Sequence, residues 1–233
     1  FQASILFTGT FGMSVRSQAL EYEVGNLTLF TFGGDYGLFT HIQQYLYLYI
    51  PLLTMGLMSR ELSSGSIKLL YSSPVTNKEI VLGKYFAMLV YGLVLIGILA
   101  IYVLYSACTI KAFDFTVALS GLLGLYLLIC AYASIGLFMS SLTSYQVVSA
   151  MGTLAILAAL SLVRGMWQDI EFVRDITYWL SINGRADEFV NGLICSEDIL
   201  YFLIVIALFL TLTILRLQVI RQKTSWTIAW GRY

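Results

Sequence analysis

The sequence predicts an all-α polytopic membrane protein with six transmembrane helices, the first of them incomplete. Three observations predict it. The 233 residues are 59% hydrophobic with a mean hydropathy of +0.83. Only 11% are charged, where a globular domain carries about 25%. Uncharged runs approaching or exceeding the roughly 20 apolar residues that cross a bilayer recur with short polar breaks between them. Water is therefore not the main solvent of this chain. Lys+Arg and Asp+Glu number 13 each, a net charge of +0, which gives no sign of a nucleic-acid partner; the information lies in where the charges sit. Membrane lipids are the expected surroundings.

In chain order, Phe1 to Met13 is apolar but too short to span, has no initiating Met, and lacks the basic start of a signal peptide. It is expected to be the outer half of a first span, the chain being a piece of a longer protein. A polar, aromatic loop follows from Ser14 to Gly37. The second run, His41 to Met58, contains Pro51, where a kink is expected because neighbouring helices can satisfy the freed carbonyl. The third, fourth and fifth runs are Tyr85 to Ser106, Thr116 to Met139 and Gln146 to Val163. An outer segment, 164–198, leads to the sixth, Ile199 to Leu215. One transmembrane domain is expected over residues 1–233.

Charge placement orients these spans through the excess of Lys and Arg on cytoplasmic loops. With the 59–84 connector and the C-terminal tail in the cytoplasm, that side holds Arg60, Lys68, Lys78, Lys84, Arg216, Arg221, Lys223 and Arg232. Arg16, Lys111, Arg164, Arg174 and Arg185 lie opposite, with eleven of the thirteen acids. Both ends are then cytoplasmic.

The connector reads "SRELSSGSIKLLYSSPVTNKEIVLGKY". Ser63, Ser64, Gly65 and Ser66 end the second span. Ile67, Leu69 and Leu70 form an apolar cluster beside Lys68, enough for two turns of helix along the membrane surface. Ser72, Ser73 and Pro74 stop it, since Pro disfavours a helical residue before it. Thr76-Asn77-Lys78-Glu79 has the spacing of a capping box, and Lys84 is placed to snorkel at the interface. Such a connector fits an interfacial anchor as well as a docking element. In the outer segment, Trp167, Ile170, Val173, Ile176 and Leu180 recur at helical spacing with Asp169, Glu171, Arg174 and Asp175 on other faces, as in a helix lying on a membrane. Trp167, Tyr178 and Trp179 suit the interfacial belt.

The spans carry almost no ionisable groups, which disfavours ion-coupled transport. Small residues recur on the fourth span (Gly121, Gly124, Ala131, Gly136) and the fifth (Ser149, Gly152, Ala155, Ala159). They allow close helix packing, within the chain or against a second copy. There is no GxxxxGK[ST] phosphate loop and no HExxH or GxSxG. His41, Cys108, Cys130 and Cys195 are too scattered for a metal site. No catalytic, cofactor or metal site is expected.

The order Glu61, Gly65-Ser66-Ile67, Leu69-Leu70, Pro74-Val75-Thr76, Glu79-Ile80, Gly83-Lys84 resembles the ABC-2 type permeases, the membrane subunits of ATP-driven exporters. It is most similar to the branch named after bacterial gliding motility. The resemblance implies that the connector is a coupling helix seated in a cleft of a partner ATPase. Glu61, Gly65, Ser66, Ile67, Lys68, Leu69, Leu70 and Pro74 would then make the coupling element, and Thr76, Glu79, Gly83 and Lys84 its cap and interface. Lys68 departs from the pattern, since relatives commonly carry an acid there. A second stretch, "LSINGRADEFVNGLICSEDILYF", resembles the same branch at Leu180-Ser181, Asp187, Phe189, Gly192, Asp198 and Tyr201-Phe202, with Arg185 near where relatives often have His. It implies an outer gate that includes Trp167, Trp179, Asp187, Phe189, Gly192 and Asp198.

Taken together, the resemblance implies a permease subunit in a bacterial inner membrane. It would pair with ABC ATPase subunits, which hold the ATP and Mg, and with a second permease copy or homologue. The alternative is a scaffold or assembly component of a gliding or secretion apparatus. A membrane-embedded enzyme has no supporting constellation.

Overall fold

Apolar runs of this length can satisfy their backbone in lipid only as helices or a closed barrel, and helices are what form. The computed structural model describes residues 2–19, 27–34, 37–67, 69, 74–110, 113–162, 186, 189–190, 192 and 195–230. The helices run α1 (Gln2–Ala19), α2 (Leu27–Phe32), α3 (Leu38–Thr54), α4 (Gly56–Ser64), α5 (Asn77–Thr109), α6 (Phe115–Leu142), α7 (Gln146–Leu162) and α8 (Ser196–Trp230). No strand occurs among the described residues. By length and composition α5, α6 and residues 196–222 of α8 can each cross a membrane, while the apolar parts of α1 and α7 are shorter. The second run is divided into α3 and α4.

Local chemistry sets the ends of these helices. Thr76 closes the start of α5 with a capping box: its N–H donates to Glu79 Oε2 at 2.7 Å, and the Glu79 N–H donates to Thr76 Oγ1 at 3.3 Å. Asp114 caps α6 by accepting from the Thr116 N–H at 3.0 Å. Gly65 stops α4 in the left-handed region, φ 72°, where glycine alone is free of a side-chain penalty.

The fourth run, α6, is the centre of the bundle. In its most apolar window 67% of the residues are buried, against 22% in α5 and in α8. It packs against α8, α5, α3, α7, α4 and α2. The reason lies in its small residues. A Cβ added at Gly121 would stand 2.4 Å from the Phe39 ring, one at Gly124 2.3 Å from Phe189 Cβ, and one at Gly136 2.0 Å from Thr54 Oγ1. The stripe on the fourth span is thus filled from within the chain. On α7 the stripe divides: Ser149 is buried and Met139 covers Gly152, whereas Ala155 and Ala159 are exposed.

Outward faces are as apolar as the interior. On α5, Phe86, Val90, Leu93, Val94, Ile98 and Ile101 are exposed, and on α8 Leu200, Leu203, Ile204 and Leu208. A helix that is hydrophobic all round without being enclosed by protein is one that meets lipid. Inside, one apolar cluster joins Phe7, Phe32, Phe39, Tyr132, Phe189 and Phe202. A second, at the connector end, joins Met58, Ile67, Ile80, Val81, Tyr85, Leu137 and Leu217.

Pro51, where a kink is expected, stays inside α3, and the Met55 N–H donates to the Pro51 carbonyl at 3.0 Å. The helix is divided at Met55, whose backbone keeps right-handed helical angles, φ −53° and ψ −35°.

Candidate functional site

Two clusters of the residues singled out from sequence can be placed, one at each end of the bundle. At the connector end, Glu61 stands on the last turn of α4 and Lys84 on the second turn of α5. Lys84 Nζ meets Glu61 Oε1 at 2.5 Å, with side chains 21% and 29% exposed, and also donates to the Leu57 carbonyl. Lys84 is therefore turned inward to bind the two helices together, and does not snorkel outward as its position suggested. Hydrogen bonds from an ammonium to a carboxylate are roughly twice as strong as neutral ones.

Beyond the Gly65 turn the chain enters a short helical segment. Ser64 Oγ and Ser66 Oγ lie 2.8 Å apart, and the Leu69 N–H donates to the Ser66 carbonyl at 3.0 Å. The two describable apolar residues of this segment part company. Ile67 is 6% exposed and packed in the connector-end cluster, while Leu69 is 73% exposed. By sequence Ile67, Leu69 and Leu70 form one apolar cluster, and the resemblance gives all three to the coupling element. Ile67 instead anchors the segment to its own bundle, because two residues of helix separate the side chains by about 200°. Lys68 and Leu70 lie outside the described residues. Pro74 is exposed, and Arg221 of α8 donates to the Val75 carbonyl and to Asn77 Oδ1, each at 3.3 Å. Gly83 is exposed on α5 with open space around it.

At the far end, Phe189 is fully buried. Its carbonyl accepts from Ser120 Oγ at 2.9 Å, and its ring lies 6.3 Å from that of Phe202. Gly192 has φ 91°, and a Cβ there would meet Val117 at 2.9 Å. Asp198, 3% exposed, sits in the first turn of α8, the end at which the helix dipole favours an acid. Trp167, Trp179 and Asp187 lie outside the described residues. The structure therefore brings Phe189, Gly192 and Asp198 to one end of α6 and α8, and Glu61, Gly65, Ile67 and Lys84 to the other.

Both ends fall within one family pattern. The model of the ABC-2 family transporter proteins matches residues 39–221, from α3 into α8. The chain belongs to the ABC-2 family of transporter proteins. This ABC-2 protein is a multi-pass membrane permease subunit of an ABC transporter, and its family implies ABC ATPase subunits as partners. No curated protein and no solved structure gives a significant match.

Sequence reasoning missed two features of this permease. Arg221 reaching Asn77 joins residues far apart in the chain, and no local pattern marks such a pair. Ser140, described below, is one hydroxyl among several in an apolar helix. The Glu61–Lys84 pair also gives a prediction. Lys84→Met should lower stability by about 1 kcal/mol, the upper range for a partly exposed pair, because Glu61 Oε2 is already buried without a hydrogen bond. Adding Glu61→Gln should restore part of the loss. Thermal unfolding of the four proteins in detergent measures it; strictly additive losses would mean that the two groups do not interact.

Proposed function

We propose that this permease takes its drive through the 59–84 connector, which docks into a cleft of a separate ABC ATPase, and that the ATPase alone holds ATP and Mg. The observation that carries the reading is the division of the connector, with Leu69 73% exposed next to a buried Ile67. Leu69 would meet the ATPase on the exposed side of the segment, while Ile67, two residues earlier, would transmit the movement to the bundle. Two ATPase subunits would act on a pair of permeases, this chain with a second copy or a homologue. Closing of the ATPases would move the connectors, and the spans would rock to expel substrate. Phe189, Gly192 and Asp198, with Trp167, Trp179 and Asp187, would form the outer gate. The chain itself would do no bond chemistry. The setting is a bacterial inner membrane, with both chain ends in the cytoplasm, and the stretch Leu180 to Phe202 supports the gliding-motility-type branch.

The direct test is co-expression with an ABC ATPase encoded by a neighbouring gene, followed by reconstitution of the purified pair in lipid vesicles. The ATPase is expected to co-purify and its ATP hydrolysis to depend on the permease. An ATPase that neither binds nor changes its turnover would remove the reading.

Orientation is tested separately. Cysteines placed at Ser73 and Gln222, with Cys108, Cys130 and Cys195 replaced, are expected to resist a membrane-impermeant thiol reagent in intact cells. One at Asn191 is expected to react. Labelling of Ser73 from outside would invert the topology.

A further inference from the structure

The interruption between α3 and α4 is closed by a side chain from another helix. Ser140 of α6 donates its hydroxyl to the Met55 carbonyl at 2.9 Å. The same oxygen accepts the N–H of Met58 at 2.9 Å and of Ser59 at 3.0 Å. A serine hydroxyl has one donor and two acceptor positions, and all three are engaged. In an uninterrupted helix the Met58 and Ser59 amides would use the carbonyls of Thr54 and Met55 alone. Ser59 Oγ also donates to the Met55 carbonyl.

The site is built for close contact. Gly136 lies one turn before Ser140 on the same face of α6, and its missing side chain admits Thr54, the last residue of α3. Ser140, Thr54, Met58 and Ser59 are all fully buried. At its other end α4 carries Glu61, tied to Lys84, then the Gly65 turn and the exposed Leu69. A short helix thus stands between the hydrogen-bonded division at Met55 and the connector.

We propose that Ser140 is the fulcrum of α4: its hydroxyl replaces helix hydrogen bonds at Met55, so that α4 can pivot there without exposing bare backbone groups. Ser140 is a positioning residue, acting through Met55, Met58 and Ser59. A break in a membrane helix is tolerable when a neighbouring side chain satisfies the freed groups, and a hydroxyl can exchange its partners as the angle changes. Only the final step, that ATPase docking drives the pivot, rests on the coupling reading above.

The neighbouring serine supplies the control. Ser141 is equally buried, but its hydroxyl donates to the Phe138 carbonyl within α6 at 2.6 Å. Nitroxide labels at Ser63 and Tyr145, both exposed, report the direction of α4 against the α6–α7 turn by pulsed electron resonance. The measurement uses the full chain in lipid nanodiscs without ATPase, after Cys108, Cys130 and Cys195 are replaced. Ser140→Ala is expected to lower the population of a second inter-label distance about tenfold, Ser140→Cys to do so partially, and Ser141→Ala to leave the distribution unchanged. Distributions for Ser140→Ala and Ser140→Cys that superimpose on the parent would overturn the proposal. So would an equal effect of Ser141→Ala, or failure of both Ser140 variants to insert stably while Ser141→Ala inserts, since the hydroxyl would then serve folding alone. With ATPase added, Ser140→Ala is expected to retain the partner but lose the nucleotide-dependent change in distance. Loss of the partner itself would count against the docking reading and leave the nanodisc result standing.

Discussion

Leu69→Asp is expected to release the ABC ATPase from this permease while leaving the permease inserted and folded. Leu69 is 73% exposed on the connector, so an aspartate there remains hydrated in the isolated subunit and costs the fold little. In a docked complex the same carboxylate would have to be desolvated against an apolar cleft. Burying an unpaired charge costs about 3–5 kcal/mol, and each 1.4 kcal/mol is a factor of about ten in affinity. The ATPase should then bind roughly a hundred- to a thousandfold more weakly and vanish from a co-purification. Adding Leu70→Asp extends the test to the rest of the segment.

Ile67→Asp is the informative contrast. Ile67 is packed among Met58, Ile80, Val81, Tyr85 and Leu217, so its replacement should destabilise the permease itself, seen as a lowered unfolding midpoint before any partner is added. If Leu69→Asp keeps the ATPase in full at normal insertion, the segment is an interfacial anchor and the coupling proposal is wrong. Family membership would be untouched by that result.

Gly136→Ala is expected to destabilise the bundle, against the sign of helix propensity. An alanine in a helix interior is ordinarily favoured over glycine by about 1 kcal/mol. Here the new Cβ would stand 2.0 Å from Thr54 Oγ1 and 2.6 Å from Thr54 Cβ, and Thr54 is fully buried with its hydroxyl donating to the Ile50 carbonyl at 3.0 Å. Overpacking of this kind costs about 1–3 kcal/mol, enough to reverse the propensity term. Thermal unfolding in detergent measures it, with Gly83→Ala as the comparison because Gly83 has open space around it. Adding Thr54→Gly to Gly136→Ala should recover much of the loss, as it removes the atoms that clash. A Gly136→Ala protein as stable as the Gly83→Ala protein would show that α6 and α3 do not meet at this contact.

Several parts of the candidate site were legible because they are local. The capping box at Thr76 and Glu79 depends on a three-residue spacing, and any helix beginning there presents the two side chains to each other's backbone. The stop at Gly65 is equally local, a residue free to take φ 72° after a run of serines. Lys84 was legible as a charge near a helix start, but its partner was not. Glu61 is 23 positions away, and only the meeting of α4 and α5 makes the pair. Ile67 and Leu69 look alike as letters. Their opposite fates follow from which side of a short helix the bundle occupies.

The sequence by itself determined the helical class, the order of the apolar runs, the polar connector and the absence of a phosphate loop, because hydropathy and short-range spacing act through the nearest few residues. It also determined that α6 could be approached closely, since glycine is small wherever it is placed. What approaches was decided by the tertiary structure: Phe39, Phe189 and Thr54 fill the fourth span's small residues from inside the chain. The same holds for the site of the α3–α4 interruption. Pro51 removes an N–H that would bond one turn toward the start of α3, whereas the division falls at Met55, where the Ser140 hydroxyl from α6 meets the Met55 carbonyl and the Met58 and Ser59 amides.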